Sequence, residues 1–552
     1  MKYRYIFFLT ILMISINLSS CRKDLNQNPI DEFTTQNFWS SPQNVLIALA
    51  GVYRGNIQMA ASPNTGAEYS PTDWWSYYGL LFLEFASDND YDRRGDGSPI
   101  VSLTNGTLTP TNSIISAYWS LSYARIARCN YFLENVAKAN LSAALTNRYI
   151  AEVRFIRACQ YFYLSQYFGA VPLVTTTLTE QQANNVTKAS LANIYTYTEN
   201  EFTAAAAGLP RYSALTAAEM GRASAQVALA FLGRVYLAEQ KWSTAATTYN
   251  QIITYGDNSI DPNFTSLFDG SNESSKEIIF ATQYLVNTAP NAMLQHTYPA
   301  ALGGYMISDP LGSLAESFEF NDGTPFSFAD PRYNPANIGQ NRDPRLNYTI
   351  LSNGQTFKNI TYDSNPMDAA SADQLTLTKQ ATRTGFAPMK FNSQVFSGNN
   401  LANSGITLPI IRYSEVLLSY LEAELESGAP INQALLDATI NQVRGRASVN
   451  MPKITETNPT LLRVILRRER RNELALEGTR LWDLLRWGVA GTVLQGQFYG
   501  APYPGATNLR KNPSGAVDPD GRWYVTTKAF RVGQDEHWPI PQSEQNINPN
   551  LR

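Results

Sequence analysis

The chain has 552 residues, with 43 Lys plus Arg against 46 Asp plus Glu, a formal net charge of −3 and a pI near 5.7. That balance offers no general attraction to nucleic acid or anionic lipid, and the length suffices for one large core or several domains. Only two histidines are present, and there is no C-x-x-C, G-x-S-x-G, H-E-x-x-H, Walker A or dinucleotide fingerprint, so neither a cofactor nor a metal site is expected.

Residues 1–20 start basic (Lys2, Arg4) and continue as an apolar run over 6–16. This is an export signal, too short for a stable membrane span. It ends Leu18-Ser19-Ser20-Cys21, which resembles the lipobox of bacterial lipoproteins. Cys21 is therefore expected to carry acyl chains that anchor the protein, at about 0.8 kcal/mol per buried methylene. The following Arg22-Lys23-Asp24-Leu25 resembles the surface-export signal of Bacteroidota lipoproteins, and residues 21–35 read as a tether.

Residues 36–256 are expected to be mostly helical. Val45, Leu46, Leu49, Val52 and Tyr53 share one helical face, with Pro42 near the start. Asp73-Trp74-Trp75-Ser76-Tyr77-Tyr78 places four aromatics in five positions. These rings can form core, or can offer flat faces to the C–H faces of sugars while neighbouring acids and amides take the hydroxyls. On the second reading Trp74, Trp75, Tyr77, Tyr78, Asp88, Asn89 and Tyr91 form a ligand surface. Asp88, Asp90 and Asp92 alternate like the start of a calcium loop, but Arg93 stands where glycine is needed and Pro99 where glutamate is. Two helical patterns follow over 114–138 and 146–169, enclosing Cys129 and Cys159 as isolated thiols. Then Leu232-Gly233-x2-Tyr236 and Ala245-x3-Tyr249 reproduce the tetratricopeptide (TPR) spacing, in which small residues let paired helices approach.

Residues 257–552 read as a second region, comprising a loop-rich insertion at 257–407 and returning helices at 408–490. The two regions are expected to form one compact discontinuous unit. The insertion gains Pro, Asn, Gly and Ser, contains a strand at 277–281, and offers Tyr298 and Tyr305 as further ligand-facing aromatics. The stretch 467–488, RRERRNELALEGTRLWDLLRWG, is dense in charge. Glu469, Glu473 and Glu477 recur every four residues beside a basic row, pairs worth about 0.2–0.5 kcal/mol each when exposed. The acids cancel the field a phosphate backbone needs, which argues against nucleic acid. With interleaved leucines the pattern points to an ion-pair network of Glu469, Arg470, Glu473, Glu477, Arg480, Asp483 and Arg486 that docks helices.

That series, ending Arg486-Trp487-Gly488, resembles the C-terminal signature of the SusD/RagB family. Further residues carry the same resemblance: Phe38-Trp39, Ala86-Ser87-Asp88, Arg157-Ala158, Phe168-Gly169, Arg342-Asp343-Pro344-Arg345-Leu346, and the terminal WPIPQSEQNINPNL. The resemblance implies a mainly α, TPR-like superhelical scaffold whose irregular insertion forms the ligand face. It also implies a lipid-anchored outer-membrane protein that binds glycans for a SusC-like TonB-dependent transporter and performs no catalysis. Two other classes fit the residues less well. A glycoside hydrolase needs only two carboxylates, but no pair stands out. A TPR-type peptide-binding scaffold leaves the long insertion unexplained.

Overall fold

The computed structural model describes residues 38–39, 41–54 and 73–552. Cys21, the signal and the tether lie outside the described residues. Among the described residues no helix is long and apolar enough to cross a membrane.

The first half is helical. It comprises α1 (Pro42–Arg54), α2 (Tyr77–Phe85), α3 (Ser113–Asn135), α4 (Ala143–Phe168), α5 (Leu191–Gly208), α6 (Ala225–Ala238) and α7 (Trp242–Tyr255). Short polar residues set the starts: the side chains of Ser76, Asn112, Ser142, Ser190 and Ser224 each accept from a first-turn amide. From α3 to α7 each helix packs on the next, as in a solenoid. The TPR spacing works as expected in the α6–α7 pair. Tyr249 is buried, and a Cβ on Gly233 would lie 2.4 Å from its ring, so only glycine lets the helices meet.

The second half is less regular, and its strands pair two by two in antiparallel fashion. A strand before α3, β1 (Asp90–Asp92), meets β3 (Ser308–Pro310), with Tyr91 opposite Asp309. Strand β2 (Ile278–Thr282) meets β4 (Leu408–Arg412), and β5 (Gly496–Pro502) meets β6 (Arg522–Lys528). The expectation that helix begins at Leu408 is corrected. Residues 408–412 are a strand buried on both faces, and helix α9 starts after it (Tyr413–Glu426). Pro409 disfavours a helix interior, the β-branched Ile410 and Ile411 suit a strand, and a continuous apolar run does not by itself separate the two states.

One large core draws on both halves; Trp74 stacks with Trp538 across them. A second, small core, including Leu294, Tyr298, Met306 and Phe357, lies within the insertion.

The charged stretch forms α10 (Pro459–Glu473) and α11 (Arg480–Arg486). Leu476 and Gly478 adopt left-handed backbone, so the helix ends at Glu473 and Glu477 projects from a turn rather than from a helical row. Glu473 sits between Arg412 (2.9 Å), Arg446 (2.8 Å) and Arg345 (3.1 Å). Glu277 bridges Arg412 and Arg446 (2.6 Å each), Glu477 bridges Lys390 (2.6 Å) and Arg412 (2.7 Å), and Glu469 bridges Arg345 (2.5 Å) and Arg444 (2.7 Å). With Asp343 on Arg345, five acids face five bases in the interior. Arg470 bonds Asp483 (2.7 Å) and approaches Glu415, which pairs with Arg234 of α6, so the network also ties α10 to the helical repeats. Arg486 closes on Glu422 and Asp483. Arg480 reaches across the sequence to Asp88.

Candidate functional site

Most of the aromatics expected to face a ligand are in the core, which is a correction. Trp74 is 1% exposed; it stacks on Tyr118, Tyr163 and Tyr167 at 4.1–5.3 Å, and its indole N–H donates to Ser122 (2.8 Å). Trp75 packs edge-on to Phe280 under the Arg125 guanidinium and donates to Tyr163. It borders a groove of about 530 Å³ between α1 and β2, with largely apolar walls. Tyr298 fills the small core and donates to the Ser393 carbonyl. Tyr91 is buried in the β1–β3 ladder.

The polar candidates are occupied as well. Asp88 takes a fork from Arg480 and a single ion pair from Arg471. Burial would raise its pKa, but the two arginines outweigh that and hold it far below the usual carboxylate range. Asn89 donates to Glu84 and accepts from Arg471. These contacts satisfy polar groups that the fold buries. Among the described residues no group of three His, Cys, Asp or Glu side chains is placed to hold a metal ion.

Tyr77, Tyr78 and Tyr305 gather around His296, but Tyr77 is buried and belongs to the core, a further correction. Tyr78 and Phe82 are four residues apart on α2, with ring centroids 4.6 Å apart. Helix α8 (Met293–Thr297) brings His296 to 5.0 Å from Tyr78 and 5.3 Å from Tyr77. Tyr305 meets His296 edge-on at 6.2 Å. Arg94 lies over Tyr78 (5.7 Å) and Phe82 (6.0 Å), held by a fork onto Asp92.

The loop that presents Tyr305 is tightly fixed. The Tyr305 amide donates to Gln295 (2.7 Å) and the Ile307 amide to His296 (2.7 Å), which folds residues 298–307 back on α8. A Cβ at Gly304 would lie 2.0 Å from the Tyr298 carbonyl, so the turn needs glycine there. The Tyr305 ring is left 47% exposed beside half-buried Tyr78 and His296. The result is a fixed aromatic platform at the junction of α2, α8 and the β1–β3 ladder.

Burial pushes the His296 imidazole down to about 4, so it is neutral at pH 7. Its Nδ1 lies 2.8 Å from the Ala292 carbonyl; that contact assigns the proton to Nδ1 and leaves Nε2 as an acceptor. His296, Phe82 and Arg94 were not picked out by the residue patterns. One signal was available: His296 lies two residues before Tyr298, and the chain has only two histidines.

The family model described as "SusD family" matches residues 268–552. The chain belongs to the SusD family. A second family model, "Starch-binding associating with outer membrane", matches residues 89–237. A crystal structure of a SusD-like carbohydrate binding protein from Bacteroides fragilis is 48% identical, covers 93% of this chain and 100% of its own, and superposes with a TM-score of 0.89. More distant SusD-like relatives are SusD-like protein P2 of Formosa agariphila (23% identity; 98% of each chain) and the starch-binding protein SusD of Bacteroides thetaiotaomicron (24%; 87% of this chain, 90% of the relative).

Proposed function

We propose that this SusD-family protein binds glycans at the outer-membrane surface, anchored through lipidated Cys21, and hands them without catalysis to a SusC-like TonB-dependent transporter. The observation that carries this reading is the platform of Tyr78, His296 and Tyr305. It is rigid, partly exposed, and edged by the Arg94 fork and the His296 acceptor. Ring faces take the C–H face of a sugar and the polar rim takes hydroxyls. The carbohydrate-binding and starch-binding relatives support the ligand class.

The acids around the platform support binding without chemistry. Asp92, whose charge reaches Tyr78 and His296, is spent on Arg94 and Ser98. Asp90 and Asp309 are fully buried. A glycosidase needs two free carboxyl groups flanking the bond.

Affinity electrophoresis in gels cast with a panel of polysaccharides tests the platform. Tyr305→Ala and Tyr78→Ala are expected to weaken retardation by about five- to tenfold, equivalent to about 1 kcal/mol per lost stacking contact, with an unchanged melting temperature. Full retention in both variants would remove the platform as the site, and release of shortened oligosaccharides by the purified protein would replace binding with hydrolysis. For the anchor, Cys21→Ala is expected to move the protein from the membrane to the soluble fraction; a variant that stays with the membrane refutes it.

A further inference from the structure

Arg93 follows β1 and is fixed there by its amide, which donates to the Ile307 carbonyl (3.0 Å). Its side chain is half-buried, its Nε is enclosed without an acceptor, and no carboxylate among the described residues pairs with it. Asp92 next to it is committed to Arg94 and Ser98. Two further arginines stand within electrostatic reach of one another. The Arg383 amide donates to Asp309 (2.7 Å), and its guanidinium caps the carbonyls of Thr376 (2.6 Å) and Lys379 (2.9 Å) rather than a carboxylate. Arg510 donates to the Val525 carbonyl (2.7 Å) and lies over Tyr524. Burial, then Arg93 and Arg510, push the Arg383 guanidinium down against the pull of Asp309 and Tyr91. Arg93 also acts on His296, and its amide bonds the loop that presents Tyr305, so Arg93 adjoins the aromatic platform.

The acids nearby do not cancel this charge. Burial holds the Asp90 carboxyl up at about 8 and pushes the Asp309 carboxyl well above the usual carboxylate range. In the charged centre, by contrast, the buried arginines are matched by carboxylates. Arg93, Arg383 and Arg510 have no carboxylate ion pair among the described residues, and unmatched guanidinium groups concentrate anions.

We propose that the platform receives an anionic glycan, one whose uronate carboxylate or sulfate ester seats on the Arg93 guanidinium while its sugar rings stack on Tyr305 and Tyr78. The inference rests on the glycan-binding reading and narrows its substrate class. A guanidinium matches a carboxylate or a sulfate with two parallel donors, and a neutral glycan leaves the Arg93 donors unused.

Titration calorimetry with polygalacturonate oligosaccharides, κ-carrageenan oligosaccharides and neutral laminarin separates the cases. Binding of at least one charged probe is expected; which one binds distinguishes carboxylate from sulfate. Arg93→Gln is expected to weaken it about tenfold or more with unchanged melting. Raising salt from about 0.05 to about 0.5 M is expected to weaken it further. If Arg93→Gln melts early, Arg510→Gln is read in its place, and unchanged affinity there overturns the inference. Laminarin binding that needs Tyr305 but ignores both arginines and salt overturns the anionic class and leaves the platform standing. Charged or neutral binding that ignores Tyr305 removes the platform itself.

Discussion

Glu473 and Asp90 are both enclosed without measurable exposure, yet one is held ionised and the other neutral. Around Glu473, burial alone would raise the pKa, but Arg446, Arg412 and Arg345 outweigh it and hold the carboxyl far below its ordinary value. Around Asp90, burial meets only the Ser308 hydroxyl, the Tyr91 amide and a distant Lys528, and the carboxyl rises to about 8. Glu84, on the adjoining α2, rises to about 7 for the same reason. The difference teaches that placement of cations, not depth, decides what a buried acid does. The centre spends its arginines on carboxylates, while Arg93 beside the platform has no carboxylate partner among the described residues.

The largest expected effect comes from breaking the centre. Glu473→Gln keeps the volume but leaves Arg345, Arg412 and Arg446 short of charge, and stranding a buried ion typically costs roughly 3–5 kcal/mol. Urea unfolding should show a lowered midpoint with an unchanged slope. A variant as stable as wild type would mean that the network is not what docks α10. Acid should act in the same direction. A depressed native pKa gives stability that is complete above the unfolded value, near 4.5, and is lost as pH falls through the native one. Glu422, held at about 2 by Arg486 against its burial, extends that loss to low pH. A stability profile that stays flat from pH 5 to about pH 2.5 would contradict this pairing.

Legibility in the sequence follows the same division. The α6–α7 pair was readable because Gly233 and Tyr249 sit at a fixed local spacing. The charged helices were readable because their acids repeat every four residues. The partners that make the network, Arg345, Arg412, Arg444 and Arg446, come from the insertion and the following elements, more than 20 residues away from Glu473 in each case. No local period encodes them, although the Asp343-Pro344-Arg345-Leu346 turn was noticed for its family likeness. At the site, four aromatics in five positions looked alike. Burial separated them: Trp74 and Trp75 went inward, and half-buried Tyr78 joined Tyr305 through His296, a contact across 218 residues. Local sequence states that rings are present; only the packed structure states which remain uncovered.

The smallest effect sharpens the other side of the comparison. Asp90 is a carboxyl that the native state keeps protonated to about pH 8, whereas an unfolded chain releases the proton near 3.8. Between those values the folded protein binds more protons than the unfolded one, so this group's contribution to stability falls as pH rises. Asp90→Asn removes the titration while keeping an acceptor for the Tyr91 amide and a polar partner for Ser308. The variant should therefore match wild type near pH 4 and exceed it increasingly toward pH 8, read as a melting-temperature gap that opens with pH. A gap that is constant with pH would mean that the replacement changes packing and not ionisation. A variant that is less stable at pH 8 would mean that Asp90 is already ionised and paired, and the platform would then carry less unmatched positive charge than its arginines suggest.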